Sequence, residues 1–248
     1  MGSIIEAFPR ALTRRAPRLA QMQAWRAVPV NANARVRPSR LEDYAAIRAL
    51  QREASPFIPG TSLKQLESQR QAFPEGQMVA VCAGRIVGTV SSLIVAWNDH
   101  AEGPSWRSVT GEGSFTTHDA AARTLFCAEL LAGSIAIART LHRAQRRLAR
   151  KLNLRRIVAA ARLPGYREAP DEPTPEAYVQ RVIWGSSTDT ALQMPLSEGF
   201  QYCGVIRNYL PEDADSGGHA ALLVWLNPAY SPTEPPANLE AVRPRKCA

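Results

Sequence analysis

Hydrophobic and polar positions change period several times along the chain, and each change predicts an element. Val36 and Arg37 form a short strand candidate ahead of Pro38. Leu41-Glu42-Asp43 then opens an amphipathic helix that places Tyr44, Ile47 and Leu50 on one face. Thr61 to Arg70 reads as a second helix, capped near Thr61 or Ser62. Met78 to Cys82 is a strand, Ala83-Gly84-Arg85 a turn, and Ile86 to Val95 a second strand, which together make a hairpin. Asn98 to Ala122 is rich in Gly, Ser and Thr and reads as a long connection, a kind of segment that is usually functional or mobile.

Thr124 to Leu131 is another strand. From Ser134 to Leu152 the period becomes helical, with Ile137, Leu141, Ala144, Leu148 and Leu152 on one face and Arg139, Arg143, Arg146, Arg147 and Arg150 elsewhere. Arg156 to Ala161 has the composition of a fully buried strand. Pro175 to Ile183 is a short helix with Thr174 placed to cap it and Pro175 at its first position. Thr190 to Ser197 is a further helix. Strands from Gly199-Phe200 to Arg207 and from Ala220 to Leu226 complete the body. This order predicts an α/β (α+β) domain: a mixed, mostly antiparallel sheet of six or seven strands with flanking helices. Three successive strands interrupt any regular βαβ alternation, so a doubly wound dinucleotide fold is a poor match.

Length and composition narrow the class. The chain has 248 residues, 45% hydrophobic and 21% charged, enough to bury a sizeable core. No apolar run approaches a membrane span, since Ile86 to Trp97 is broken by Gly88, Thr89, Ser91 and Ser92. The first 25 residues carry Pro9, Arg10, Arg14, Arg15, Pro17 and Arg18 where a signal peptide needs an apolar core. Cys82, Cys127 and Cys203 lie in strand-like text and Cys247 near the end, without a CxxC, which reads as buried thiols in a reducing, cytoplasmic setting.

Charge is uneven. The formal net charge is +8, and residues 1–40 hold eight arginines against the single acid Glu6. Residues 130–167 hold ten Lys or Arg and no acid. The expected organisation is therefore a basic extension at 1–34, a folded domain at 35–228, and a Pro-rich tail at 229–248. The extension reads first as a loosely docked arm; nucleic-acid contact or an organelle transit peptide are the sharper readings.

The strand–loop–helix at 124–152 is the strongest local signal. Ser134, Ala136 and Ala138 keep the first turn of the helix small, so a pyrophosphate could approach the backbone N–H groups that a helix start leaves unpaired. Arg139 and Arg143 would lie within reach of further phosphates. From this segment alone, a core helix with a solvated arginine face is the favoured reading.

The body also resembles the GNAT superfamily of acyl-CoA N-acyltransferases. More narrowly, it resembles the GNAT domain that precedes a carbon–nitrogen hydrolase (nitrilase-like) domain in bifunctional bacterial proteins. The resemblance rests on Phe73-Pro74-Glu75-Gly76-Gln77, Gly88 to Val95, Thr110-Gly111-Glu112-Gly113, and Thr117-His118-Asp119. It continues through Asn153-Leu154, Arg162-Leu163-Pro164-Gly165-Tyr166, Tyr178-Val179, Gly199-Phe200, Asn208-Tyr209-Leu210, Asp213, Ser216-Gly217, and Trp225-Leu226-Asn227-Pro228. It spans about residues 35–228, and the chain ends where the hydrolase would begin, which would make this a free-standing version.

The resemblance implies acetyl-CoA or another acyl-CoA as co-substrate, lying in a cleft splayed between the fourth and fifth strands. Backbone at Ala128, Leu130 and Leu131 would pair with the pantetheine amides. Ser134, Ile135, Ala136, Ile137 and Ala138 would hold the pyrophosphate. The acyl group would pass directly to an amine of a small molecule. The superfamily's phosphate loop reads Gln/Arg-x-x-Gly-x-Gly/Ala, and of Gly133-Ser134-Ile135-Ala136-Ile137-Ala138 only Ala138 fits. A methyl at Ala136 crowds the approach of phosphate. The alternative is a GNAT-fold protein that binds a ligand or partner without transfer.

For amine attack, Glu129 in apolar strand text is a candidate base whose pKa desolvation would raise; its other reading is a carboxylate paired with an arginine at a strand end. His118 and Asp119 could act as base directly or through water, or order the long connection. The superfamily's acidic tyrosine aligns with Pro195, which leaves Tyr166 and Tyr209 as substitutes or as packed residues. No metal site is expected, because His100, His118, His142 and His219 lack ligand spacing among themselves or with cysteine. A homodimer is compatible with this reading.

Overall fold

The computed structural model describes residues 34–55, 58–98, 103–169 and 174–233. The basic extension up to residue 33, the tail from residue 234, His100 and Cys247 lie outside the described residues.

Seven strands form one sheet: β1 (Arg35–Pro38), β2 (Gln77–Cys82), β3 (Arg85–Val95), β4 (Thr124–Ala132), β5 (Arg156–Arg162), β6 (Gln201–Ile206) and β7 (Ala220–Leu226). Their spatial order is β1-β2-β3-β4-β5-β7-β6. Every neighbouring pair is antiparallel except β4 with β5, which is parallel. Among the described residues six α-helices accompany the sheet: α1 (Tyr44–Ala54), α2 (Leu63–Ala72), α3 (Trp106–Thr110), α4 (Ile135–Lys151), α5 (Pro175–Ile183) and α6 (Thr190–Ser197).

Local chemistry accounts for most boundaries. Ala83 and Gly84 both adopt left-handed backbone (φ 47° and 74°), which suits the two-residue turn joining β2 to β3. Ser62, Ser134, Thr174 and Asp189 each accept a backbone N–H at the start of α2, α4, α5 and α6. On α4 the apolar stripe is buried as its period predicts: Ile137, Leu141, Ala144, Leu148 and, just past the helix, Leu152. Each buried Leu or Ile contributes roughly 1.5–3 kcal/mol, so this helix is fixed to the sheet mainly by that stripe.

Side chains alternate between two cores along the central strands. Leu125, Cys127, Ile157 and Ala159 face α4, α5 and α6 with Ile137, Leu141, Val179 and Leu192. Phe126 and Val158 face the other side, where they meet Val109, Phe115 and Tyr209. On that second side α1 and α2 form a smaller cluster through Ile47, Leu66 and Val79.

Two expectations need correction. The 98–122 connection is not wholly irregular: it contains α3, capped by Ser105 at its start and ended by Gly111 in left-handed conformation (φ 56°). Five residues are too few for a helical period to emerge from the sequence. Cys203 is exposed rather than buried, because β6 is the edge of the sheet and its register shifts between Tyr202 and Gly204. No helix among the described residues is long and apolar enough to cross a membrane.

Candidate functional site

β4 and β5 pair through only four residues each, from Thr124 with Arg156 to Cys127 with Ala159. Both strands then continue while parting from one another. β4 stays paired with β3 as far as Ala132 opposite Gly88, and β5 stays paired with β7 as far as Arg162 opposite Ala220. The cause is a bulge: Ser91 opposes Glu129 and Ser92 opposes Cys127, which leaves Ala128 as the extra residue on β4. The result is a wedge between two strand edges that no longer pair with each other. An extended ligand bearing amides can satisfy such edges.

The wedge opens toward the start of α4. Ser134 Oγ accepts the Ile137 N–H at 3.3 Å. Ala138 N–H bonds back to the Ser134 carbonyl at 3.0 Å. That leaves the amides of Ile135 and Ala136 as outward donors at the positive end of a 17-residue helix. Ile135 is exposed, Ala136 is half-buried, and Ala128, Leu130 and Leu131 line the β4 wall. Arg143 is exposed on α4. Arg139 is engaged, with its Nε 3.0 Å from Glu198 Oε1, and Arg146 grips the other oxygen of the same carboxylate at 2.6 Å.

Glu129 sits beside the bulge, on the face that carries α1. Gln51 donates from Nε2 to Glu129 Oε2 at 2.8 Å and to Thr61 Oγ1 at 2.9 Å. Its Oε1 accepts the Thr61 N–H at 3.0 Å and Arg48 Nη1–H at 3.2 Å. Gly60 leaves room beside this junction, since a Cβ there would displace the Arg48 guanidinium. Burial raises the Glu129 pKa, and the Gln51 hydrogen bond and the charges of Arg48 and Arg162 offset only part of that rise.

On the opposite wall, Arg162 closes β5. Its guanidinium binds both carboxylate oxygens of Asp213 and donates to Ser55 Oγ at 2.6 Å. Asp213 also accepts the Ser216 hydroxyl at 2.6 Å. Burial alone would raise the Asp213 pKa, yet the Arg162 and Ser216 hydrogen bonds outweigh it and hold the carboxyl below its ordinary range.

Asp119 and His118 lie toward the other end of β4 from the wedge, whereas Tyr209 packs with Phe126 and Val158 near its apex. Asp119 N–H bonds Ile94 O at 2.9 Å, and Ile94 faces Leu125. Glu129 lies four positions farther along β4, about 13 Å at strand rise. His118 accepts the Ile94 N–H on Nδ1 at 3.1 Å and stacks on Phe73 at 4.9 Å. Burial lowers its pKa, so it stands neutral as a latch on β3. Asp119 instead borders a cleft of about 290 Å³ at the far end of the sheet, with Trp97, Arg123 and Arg155. There the β4–β5 ladder is intact, so that cleft exposes no pair of free strand edges. Tyr166 is half-buried against Tyr178 and His219. Tyr209 is buried, and burial raises its pKa. Among the described residues no group of three or more His, Cys, Asp or Glu could hold a metal ion.

Sequence reasoning missed Gln51, Arg162, Asp213 and Trp106. Trp106 Nε1–H donates to the Ala128 carbonyl at 3.0 Å, and its backbone N–H donates to the Tyr209 carbonyl at 2.8 Å. Arg162 and Asp213 lay inside strings already singled out, but nothing local revealed that they pair.

Comparison with known proteins bears on the fold. No family model matches the chain. The "Probable hydrolase YhcX" of Bacillus subtilis (strain 168) is 30% identical over 197 residues, which is 78% of this chain and 38% of that protein. The chain thus spans well under half the length of that relative. The "Uncharacterized N-acetyltransferase YkwB" of the same organism is 29% identical over 170 residues, covering 67% of this chain and 75% of that one. Among solved structures, the "GphF GNAT-like decarboxylase in complex with isobutyryl-CoA" superposes with a TM-score of 0.62 at 21% identity, covering 77% of this chain and 98% of that one. The seven-stranded mixed sheet, its single parallel pair β4–β5 and its flanking helices are those of the GNAT, or acyl-CoA N-acyltransferase, fold.

Proposed function

We propose that the chain is an acyltransferase that moves an acyl group, acetyl in the first instance, from acyl-CoA to an amine of a small molecule by direct attack in a ternary complex. The observation that carries this reading is the early end of the β4–β5 ladder at Cys127 and Ala159, which leaves two strand edges free beside a helix start. Pantetheine amides pair with the β4 edge at Ala128, Leu130 and Leu131. The pyrophosphate takes the Ile135 and Ala136 amides, and Arg143 reaches further phosphate.

Glu129 removes the proton from the bound ammonium, a task suited to a carboxylate with a raised pKa. The amine lone pair then attacks the thioester carbonyl, the C–S bond breaks with its electron pair on sulfur, and the proton that the new amide nitrogen sheds passes through water to the thiolate. Burial raises the Tyr209 pKa, which makes its hydroxyl a poor proton donor to that thiolate. Arg162 and Asp213 hold the opposite wall in place. The relative described as an N-acetyltransferase and the neighbour solved with isobutyryl-CoA support the co-substrate. The partial match to a probable hydrolase supports the narrower likeness to a GNAT domain that accompanies a hydrolase. A cytoplasmic, reducing location belongs to the same reading.

The test is release of free CoA thiol from acetyl-CoA across a panel of primary amines. The expected result is amine-dependent release that Glu129→Gln slows by about 10²–10⁴-fold while acetyl-CoA still binds. Binding of CoA without release for any amine would replace transfer by ligand binding. An unaffected Glu129→Gln variant would remove that residue from the chemistry.

A further inference from the structure

Trp106 bridges the wedge. Its indole N–H reaches the Ala128 carbonyl on the β4 wall, and its backbone N–H reaches Tyr209, which follows β6 on the far half of the sheet. Ala128 is the bulge residue one position past the last β4–β5 pair, so the indole stands at the apex where the strands part. The other face of that apex is closed, since Cys127 and Ala159 are packed there against the α4 core with Ile137 and Leu141. On the open face a group bound at the apex meets the indole, with Tyr209 packed in the same cluster.

The bridge is held firmly. α2 donates to three carbonyls of the segment after α3: Gln65 to Glu112 at 2.8 Å, Gln69 to Gly113 at 2.8 Å and Ser68 to Ser114 at 2.7 Å. A Cβ on Gly113 would lie 2.8 Å from Trp106 Cη2, and Gly113 has φ 76°, so the indole is backed by a position that suits glycine. Phe115, with 1% exposure, anchors the same segment in the core despite its left-handed φ of 63°. Moving the indole would break its hydrogen bond to β4, while the segment that carries it stays tied to α2 and, through the Trp106 backbone, to Tyr209.

We propose that Trp106 is the specificity-determining residue for the acyl group: it ends the space beyond the thioester and restricts the protein to short acyl chains. This rests on the acyl-CoA reading above and adds the chain length that reading leaves open. A packed aromatic wall excludes additional methylenes because the interior cannot absorb their volume without moving its neighbours.

Calorimetric titration of the whole chain with CoA, acetyl-CoA, butyryl-CoA and octanoyl-CoA tests it. Wild type is expected to bind octanoyl-CoA about tenfold or more weakly than acetyl-CoA, in line with the discrimination a few methylenes give in a closed pocket. Trp106→Leu is expected to bind octanoyl-CoA about as tightly as acetyl-CoA while its affinity for unacylated CoA is unchanged. Trp106→Phe, which keeps a ring but loses the N–H and some length, is expected to admit butyryl-CoA and still reject octanoyl-CoA; it decides the matter should the leucine variant not fold. A wild type indifferent to chain length, or variants that keep the wild-type profile, would overturn the proposal while leaving the acyl-CoA reading standing. Failure of wild type to bind any CoA species would overturn both.

Discussion

Glu129 and Asp213 belong to opposite walls of one wedge, and their surroundings push them in opposite directions. Burial raises the Glu129 pKa, so its charged form is penalised in the folded protein: stability is intact below the ordinary carboxylate pKa and declines as pH rises through the raised value. Asp213 is held low by Arg162 and Ser216 against its own burial. It stabilises above the ordinary carboxylate range, and that contribution is lost as pH falls through the depressed value. Denaturant unfolding from pH 3 to pH 8 separates the two. Glu129→Gln is expected to gain stability over wild type as pH rises. Asp213→Asn is expected to lose on the order of 3 kcal/mol near neutral pH by leaving the Arg162 guanidinium without its carboxylate, with the deficit shrinking in acid. Curves parallel to wild type would contradict both assignments. Glu129 was legible in the sequence because a charge inside an apolar strand stands out. Gln51, Arg162 and Asp213 were not, because each acquires its role from partners distant in sequence that only the sheet topology brings near.

The elements were legible in proportion to their length and their end signals. α5 and α6 begin and end where Thr174, Pro175 and the apolar period place them, and the stripe on α4 is the one that packs on the sheet. α3 escaped because five residues carry no period, although its capping residues Ser105 and Gly111 were the one available sign. The start of α4 carries a prediction of its own. Ala136→Gly removes the methyl nearest the two outward amides. The expected result is equal or tighter CoA binding by calorimetry, together with a loss of helix stability of about 1 kcal/mol or less. A large fall in CoA affinity would mean that these amides do not meet the pyrophosphate.

For the molecule as a whole, the order of strands and helices announced a mixed sheet, but not where its seam opens. That opening depends on a one-residue bulge at Ala128 and on β5 following β7 rather than β4 beyond Ala159. Neither leaves a mark in the hydrophobic pattern; only the family resemblance pointed there. The seam also explains why the long segment between β3 and β4 matters: through Trp106 it ties together two halves of the sheet that share only a short ladder. The most direct test of the account is a crystal structure of the protein soaked with acetyl-CoA. Electron density for pantetheine is expected between Ala128–Ala132 and Ala160–Arg162, with the pyrophosphate on the Ile135 and Ala136 amides and the acetyl group against the indole of Trp106. A nucleotide bound elsewhere, with the wedge closed by protein, would contradict it.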